Sequence, residues 1–163
     1  MPDRPIRIFG DPVLKTVCDP VREIDSSTRA LAADLIDSVT VPGRAGVAAN
    51  QIGVASRVFS YNVDGVIAVV INPEIVELSG DPVLTDEGCL SVPDLWFPVM
   101  RYPHAVVRGL DIDGNEIVVE GDGLLAQALQ HETDHLDGLV YLDRLDKERR
   151  REALRAVRES AWF

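Results

Sequence analysis

Cysteine and histidine are scarce in this sequence of 163 residues, which contains two of the former and three of the latter. Two cysteines cannot build a disulfide framework, and so few are typical of a reducing compartment. Long apolar runs are also missing, so the sequence predicts neither a membrane span nor a secretory signal. Lysine and arginine total 16 against 27 acidic residues, and the net charge of −11 argues against DNA as a partner. We therefore expect an acidic, cytoplasmic protein that binds neither membranes nor DNA.

The apolar pattern predicts one domain of the α+β class, covering residues 1–163. Asp113-Gly114, between two β-rich runs, is typical of a tight hairpin turn. We expect antiparallel strands to pack around a central helix, with residues 146–163 as a C-terminal helical extension. The predicted elements are a helix at 26–40, short β-rich runs between about 57 and 121, the central helix at about 123–137, and a C-terminal helix at about 146–160.

The predicted central helix contains an HExxH motif, formed by His131, Glu132 and His135. Residues four apart on a helix lie one turn along the same face, so both imidazoles can reach one metal ion. Glu132 then lies beside the ion, where it can act on water. A solvated amphipathic helix could carry the same letters, but the flanking residues are apolar and indicate burial. Because unpaired polar groups are costly in a core, a shared metal ion is the better interpretation.

The motif supplies two ligands, whereas a catalytic metal ion usually has three from the protein. Metzincins place a third histidine six residues after the second, but Tyr141 occupies that position here. Gluzincins use a downstream glutamate, and Glu152 and Glu159 are available, although their arginine-rich segment favours a solvated face. His104 follows a proline and is predicted at the end of a strand.

Cys89 is the more informative candidate for the third ligand. It lies in residues 86–93, where glycine and proline interrupt any amphipathic pattern. An isolated cysteine is commonly a small buried hydrophobic residue, and that interpretation is sufficient for Cys18. For Cys89, burial in the core and ligation of a metal ion are both open on these grounds alone.

Three blocks of the sequence resemble the motifs of the peptide deformylase family. The segment from Ile8 to Leu14 is also similar to the opening segment of that family, so the resemblance extends from there to about Leu145. Three motifs in the family's order are far more specific than one. The blocks are Gly46-Val47-Ala48-Ala49-Asn50-Gln51, Glu87-Gly88-Cys89-Leu90-Ser91 and Gln130-His131-Glu132-Thr133-Asp134-His135-Leu136-Asp137-Gly138.

The resemblance implies a metal-dependent hydrolase with Cys89, His131 and His135 as its metal ligands. The family generally uses ferrous iron, and zinc, nickel or cobalt can substitute for it. A ligand set of one cysteine and two histidines would by itself suit zinc equally well. We therefore expect one divalent metal ion, with Fe²⁺ preferred.

The resemblance also implies the reaction, which is removal of the N-formyl group from the formylmethionine of newly synthesised polypeptides. Glu132 would take a proton from the water that attacks the formyl carbonyl and would return it to the departing amine. The side chain of Gln51 and the backbone N–H of Leu90 would donate hydrogen bonds to the oxyanion. Formate and a free N-terminus would be the products.

Four further residues take supporting roles in this interpretation. Glu87 would hold Gln51 or the cysteine loop by hydrogen bonding without binding the metal. Gly46 would permit close approach of the substrate backbone, although a plain turn glycine is an equal alternative. Val47 and Leu124 would line the pocket for the methionine side chain, a role that core packing could equally explain.

The sequence departs from the family pattern at three places. Arg44 stands where a glycine is usual, Val47 replaces the usual leucine, and Trp96-Phe97 follow the cysteine block where many relatives carry other residues. None of these changes removes a ligand, the base or an oxyanion donor. They concern the shape and charge of the substrate groove rather than the reaction.

The C-terminal segment 147–158 carries six basic residues within an acidic protein. A solvated helix face is the simple interpretation. In some deformylases the C-terminal extension docks on the ribosome, so contact with ribosomal RNA is the alternative.

Two other functional classes are compatible with the HExxH motif. A metallopeptidase with a different third ligand would cleave internal peptide bonds and would not need Cys89. An inactive metal-binding domain would fold and bind metal without hydrolysis, but it would have no use for Gln51 and Glu132 together.

Overall fold

The computed structural model describes residues 4–163, and within them lie seven β-strands and three α-helices. The predicted α+β architecture is confirmed, because antiparallel strands surround the helix that carries the HExxH motif. Within residues 4–163, no helix is long and apolar enough to cross a membrane. The strands are β1 (Gly46–Ala48), β2 (Val58–Val63), β3 (Val66–Ser79), β4 (Val83–Cys89), β5 (Val92–Arg101), β6 (His104–Leu110) and β7 (Glu116–Asp122), and the helices are α1 (Ser26–Thr40), α2 (Gly123–Leu136) and α3 (Lys147–Glu159).

Local sequence signals account for several element boundaries. Helix α1 begins after Asp25, whose side chain accepts a hydrogen bond from the Thr28 N–H at 3.0 Å. Helix α3 begins in the same way after Asp146. The predicted hairpin joins β6 to β7, and Gly114 in its turn has a φ of +83°, a conformation that glycine adopts without strain.

Five strands form one antiparallel sheet in the order β1-β2-β3-β6-β7. Alternate residues of β2 face opposite sides, because strand side chains have a period of two. Phe59 and Tyr61 pack in the cluster that contains α2 residues, whereas Val58 packs in the cluster of α1. The Ser60 hydroxyl donates to the Leu35 carbonyl of α1 at 2.9 Å. The two helices therefore cover opposite faces of the sheet, and α2 lies in the interior.

Strands β4 and β5 form a separate two-stranded ribbon that the sequence pattern did not predict. The ribbon contains Gly88, Pro93 and Pro98, which interrupt the alternation that would have indicated strands. Its pairing runs from Val83 opposite Arg101 to Cys89 opposite Val92. The ribbon thus holds Cys89 at the end of a strand instead of on an irregular loop.

Candidate metal centre

The motif helix and the end of the ribbon bring three ligating atoms together. Cys89 Sγ lies 3.3 Å from His135 Nε2, and His135 Nε2 lies 3.2 Å from His131 Nε2. All three atoms lie within 4.8 Å of one another. The two histidines are separated by one turn of α2, so helix geometry alone sets their spacing.

The donor set fits a single divalent metal ion. Bonds of about 2.0–2.3 Å in a tetrahedral site separate ligand atoms by roughly 3.3–3.8 Å, close to the distances found here. The other ring nitrogen of His131, Nδ1, lies 2.7 Å from Glu87 Oε2. A proton on Nδ1 that is donated to this carboxylate leaves Nε2 with a lone pair directed at the site. Burial lowers the pKa of His135 well below its ordinary value, which favours the neutral ring that a ligand needs.

A buried ionic network orients the first histidine. Arg101 donates two hydrogen bonds to Glu87, at 2.6 and 2.9 Å, and one to Asp134 at 2.9 Å. Arg144 completes the network by binding Asp134 at 2.7 Å. Burial opposes ionisation of Glu87, but hydrogen bonds from Arg101 and His131 outweigh it and lower the pKa of this carboxyl to about 2. Glu87 is therefore an anion that fixes the ring orientation of His131.

Glu132 is buried beside the three candidate ligand atoms. It is 3% exposed, and its Oε2 lies 3.9 Å from His131 Nε2. Among residues 4–163, its Oε1 has no hydrogen-bond partner, although this oxygen is buried. Burial raises the pKa of the Glu132 carboxyl to about 7, a range in which a carboxyl can both accept and return a proton.

Gly46 provides the space that the Glu132 side chain occupies. A Cβ atom at this position would lie 2.6 Å from Glu132 Oε2 and 2.8 Å from Glu132 Cγ. Carbon atoms do not approach so closely, so any larger residue would displace the carboxylate. The glycine is required by a side chain of α2, a reason that sequence inspection had not identified.

Gln51 is held with its amide nitrogen towards Cys89. Its Oε1 accepts a hydrogen bond from the Ala48 N–H at 3.0 Å, which assigns the two ends of the amide. Its Nε2 then lies 3.2 Å from Ser91 Oγ and 3.7 Å from Cys89 Sγ. Leu90 follows Cys89 in the turn between β4 and β5, and both residues border one cavity.

These side chains line a cavity of about 560 Å³ that opens to solvent. Among the predicted substrate-contacting residues, Gly46 and the half-exposed Leu124 border it. Val47 does not border it, because its side chain is fully buried in the cluster beneath α1. Glu87 is hydrogen-bonded to His131 and Arg101 rather than to Gln51 or the cysteine loop.

Three residues of the site had no assigned role in the sequence interpretation. Asp134 lies inside the HExxH motif, but the sequence does not indicate its partner Arg101, which is 33 residues away. No local signal marked Arg101. Tyr141, where metzincins carry a ligand, is 1% exposed and stacks near His131 with ring centroids 6.4 Å apart. Its hydroxyl donates to the Leu95 carbonyl at 3.0 Å, so it packs against a histidine instead of binding metal.

A second cluster of titratable side chains is centred on His104 and joins β6 to its neighbours β3 and β7. His104 opens β6, as expected for a strand-end histidine, and has carboxylates next to both ring nitrogens. Asp122 lies 2.7 Å from Nδ1 and Glu120 lies 3.0 Å from Nε2, with Glu77 at 3.9 Å. The hydrogen bond to Asp122 raises the pKa of His104. Hydrogen bonding between the ring and these carboxylates accounts for this exposed cluster.

Comparison with known proteins agrees with this geometry. Residues 3–151 match the family model described as polypeptide deformylase. The chain is 49% identical over 159 residues to a peptide deformylase of Acidothermus cellulolyticus, covering 98% of this chain and 88% of the relative. It is 44% identical to peptide deformylase 1 of Corynebacterium glutamicum, covering 98% of this chain and 97% of that one.

Solved structures show the same similarity. A crystal structure of peptide deformylase from Ehrlichia chaffeensis in complex with actinonin has a TM-score of 0.91 and 34% identity, with 100% of both chains covered. A peptide deformylase from Legionella pneumophila has a TM-score of 0.89 and 35% identity, covering 97% of this chain and 95% of that one. The matched residues include the whole metal centre described above. This chain belongs to the polypeptide deformylase family.

Proposed function

We propose that this enzyme uses one divalent metal ion to hydrolyse the N-formyl group of formylmethionyl peptides. Removal of the formyl group from an N-terminal methionine is the activity that family membership supports. The observation that carries the metal-dependent mechanism is the convergence of Cys89, His131 and His135 beside the buried Glu132. Its substrates are then newly synthesised polypeptides, which makes the cytoplasm the site of action.

Cys89, His131 and His135 would hold the metal ion, for which ferrous iron is our first choice and zinc, nickel or cobalt are substitutes. When bound, such an ion supplies Lewis acidity that polarises a carbonyl and makes water a nucleophile near neutral pH. The anionic Glu87 supports this assignment, since carboxylate partners on the second ring nitrogen are typical of metal-binding histidines.

Glu132 is the proposed proton carrier. It accepts a proton from water as the water oxygen forms a bond to the formyl carbon. It then delivers that proton to the nitrogen as the carbon–nitrogen bond breaks, so that formate and a free amine leave. Its raised pKa and its place on the cavity wall support this role.

Gln51 and Leu90 are the proposed oxyanion donors. Gln51 and Leu90 both border the cavity with Cys89, and the Gln51 Nε2 lies 3.7 Å from Cys89 Sγ. Donors held in advance stabilise the charge that develops on the formyl oxygen without reorganising during the reaction. Leu124, at the start of α2, supplies an apolar wall suited to the methionine side chain.

Formate release from a formyl-Met tripeptide is the direct test. With iron-loaded protein under anaerobic conditions, we expect stoichiometric formate and a free amino terminus, and no cleavage of internal peptide bonds. Mass spectrometry of the peptide separates the outcomes, because deformylation removes 28 Da whereas peptidase activity yields fragments. Fragments would favour the metallopeptidase alternative. A metal-loaded, folded protein that leaves the peptide intact would favour an inactive binding domain.

Substitution of Gly46 tests the position of Glu132. In Gly46→Ala the new methyl group would displace the carboxylate, and we expect turnover to fall by about 10- to 100-fold, since misplacement of about 1 Å costs this much. Metal content should be unchanged, because the three atoms nearest to a Cβ at position 46 all belong to Glu132 and not to a proposed ligand. Turnover equal to that of the wild type would show that the carboxylate position is not critical.

The C-terminal helix carries a basic face, which we propose contacts ribosomal RNA. The spacing of four exposed residues places them on one side of α3, and among residues 4–163 none of the four has a carboxylate partner. The opposite side packs against the ribbon through Ala153 and Val157. The four residues are Lys147, Arg151, Arg155 and Arg158.

Neutralising these four residues with glutamine is expected to reduce co-sedimentation with ribosomes at low salt. The logarithm of the affinity falls as the logarithm of the salt concentration rises, and each lost phosphate contact should make this fall shallower by about 0.9. Deleting the helix would be a poorer test, because it would uncover the core around Val157. The matched control replaces the exposed Arg22 and Arg29 by glutamine. If the wild type, the four-residue variant and the control co-sedimented equally, the basic side of α3 would be an ordinary solvated helix face.

A further inference from the structure

One face of the β4–β5 ribbon carries apolar side chains that are unusually exposed. Leu84 and Met100 are paired across the ribbon and are 51% and 52% exposed, and Trp96 on β5 is 69% exposed. Pro98 lies between Trp96 and Met100 on β5, and alternate residues of a strand face the same side, so these three residues share one face. We call Leu84, Trp96, Pro98 and Met100 the ribbon stripe.

The ribbon stripe begins at the mouth of the catalytic cavity. Trp96 borders that cavity together with Leu124 and Gln127. The indole ring lies directly on Gly88, where a Cβ atom would come within 2.5 Å of Trp96 Cζ3. A glycine beside the ligand cysteine thus allows the ring to lie flat at the boundary between the cavity and the outer ribbon. Leu84 and Met100 continue the apolar surface outward from this ring.

We propose that the ribbon stripe binds the part of the polypeptide substrate that follows the residues held in the cavity, and that it selects apolar side chains there. This inference rests on the proposed function, because a deformylase substrate is a chain that must continue outward from its first residue. An extended chain advances about 3.3 Å per residue, so roughly four substrate residues cover the stripe from Trp96 to Met100. Their alternate side chains would face the ribbon.

A second copy of the protein is a weaker candidate for the occupant. A stable dimer buries about 800 Å² on each partner, whereas the four partly exposed side chains of the stripe offer only a few hundred Å². Asp86, which is paired with Pro98 on the same face of the ribbon, and the exposed Asp94 disfavour an acidic partner, including nucleic acid. An apolar stretch of polypeptide that continues from the cavity fits both the small apolar area and the acidic residues of this face.

The test compares three formyl-Met substrates: a tripeptide, an octapeptide with leucines at positions 4 and 6, and the same octapeptide with serines there. For the wild-type protein we expect the leucine octapeptide to have a KM about five- to tenfold lower than the serine octapeptide, with similar kcat. The double variant Leu84→Ser, Met100→Ser should lose this difference. Its tripeptide kinetics should match those of the wild type, because the tripeptide does not reach these residues. Val118→Ser, an exposed apolar strand residue on the other sheet, is the matched control.

Binding of the deformylated leucine octapeptide provides a readout that does not depend on turnover. In a Trp162→Phe background, emission from Trp96 should shift to the blue on binding, and the serine octapeptide should leave it unchanged. Equal KM values for the two octapeptides and no shift would overturn the inference while the tripeptide assay still supports the proposed function. A concentration-dependent dimer that the double variant abolishes in sedimentation would assign the stripe to a second copy instead.

Discussion

Glu132→Gln is expected to reduce kcat for formyl-Met peptides by about 10²–10⁴-fold while the metal content stays at the wild-type level. Glutamine has nearly the same shape as glutamate, but it cannot accept a proton from water. The carboxylate Oε2 lies 3.9 Å from His131 Nε2, and we propose that it acts on the reacting water and does not bind the metal ion. Steady-state kinetics together with metal analysis of the same preparation checks both parts of the expectation.

The control for this substitution is Glu152→Gln, which changes an exposed glutamate of α3. It should retain full activity, since the residue lies outside the cavity lining. If Glu132→Gln retained wild-type turnover, the general base would have to be another group and the proposed mechanism would be wrong. If it instead lost its metal, the carboxylate would have to be assigned to ligation or to support of a ligand.

Cys89→Ala is expected to weaken metal binding by more than about 100-fold, since even the partners of metal ligands contribute about 10- to 100-fold. The reason is the geometry of the site, where Cys89 Sγ lies 3.3 Å from His135 Nε2. Metal occupancy after dialysis against a weak chelator measures the effect. A metallopeptidase with another third ligand predicts that this variant keeps its metal.

The second cysteine offers a matched control. Cys18 is 3% exposed, packs in the cluster that also holds Leu136, and is not one of the three residues that converge at the candidate site. Burial raises the pKa of its thiol to about 11, so it stays protonated at neutral pH. Cys18→Ala should therefore keep its metal and its activity, with a loss of stability only. Equal metal loss in both variants would mean that the effect of Cys89→Ala is a general loss of folding.

The helices and most strands of the large sheet followed from periodicity in the sequence. Helix α1 was predicted at 26–40 and is observed at Ser26–Thr40, because its apolar spacing and its capping aspartate act within a few residues. The ribbon was not predicted. Its outward face is apolar in places and its strands contain proline, so neither strand shows an alternation of apolar and polar residues in the sequence. The two strands are stabilised by pairing with each other and by packing against α3 and the segment before it, contacts that no local pattern indicates.

The supporting shell of the metal centre could not be predicted for a similar reason. Glu87 was expected to hold Gln51 or the cysteine loop, but in the folded chain it lies between His131 and Arg101. Arg101 is separated from Asp134 by more than thirty residues, and no pattern in either segment indicates the other. Gly46 was noted as a turn or substrate-facing glycine, whereas the space it leaves is filled by Glu132.

The sequence by itself determined that the two candidate histidine ligands and the candidate base lie together, because a helix places residues four apart on one face whatever surrounds it. It also supplied three motifs whose combination resembles one family. Tertiary structure alone decided that the ribbon brings Cys89 to those histidines, that Arg101 and Glu87 orient one of them, and that an apolar stripe extends the cavity outward. Those contacts join segments distant in the chain, so they depend on how the elements pack and not on any local spacing.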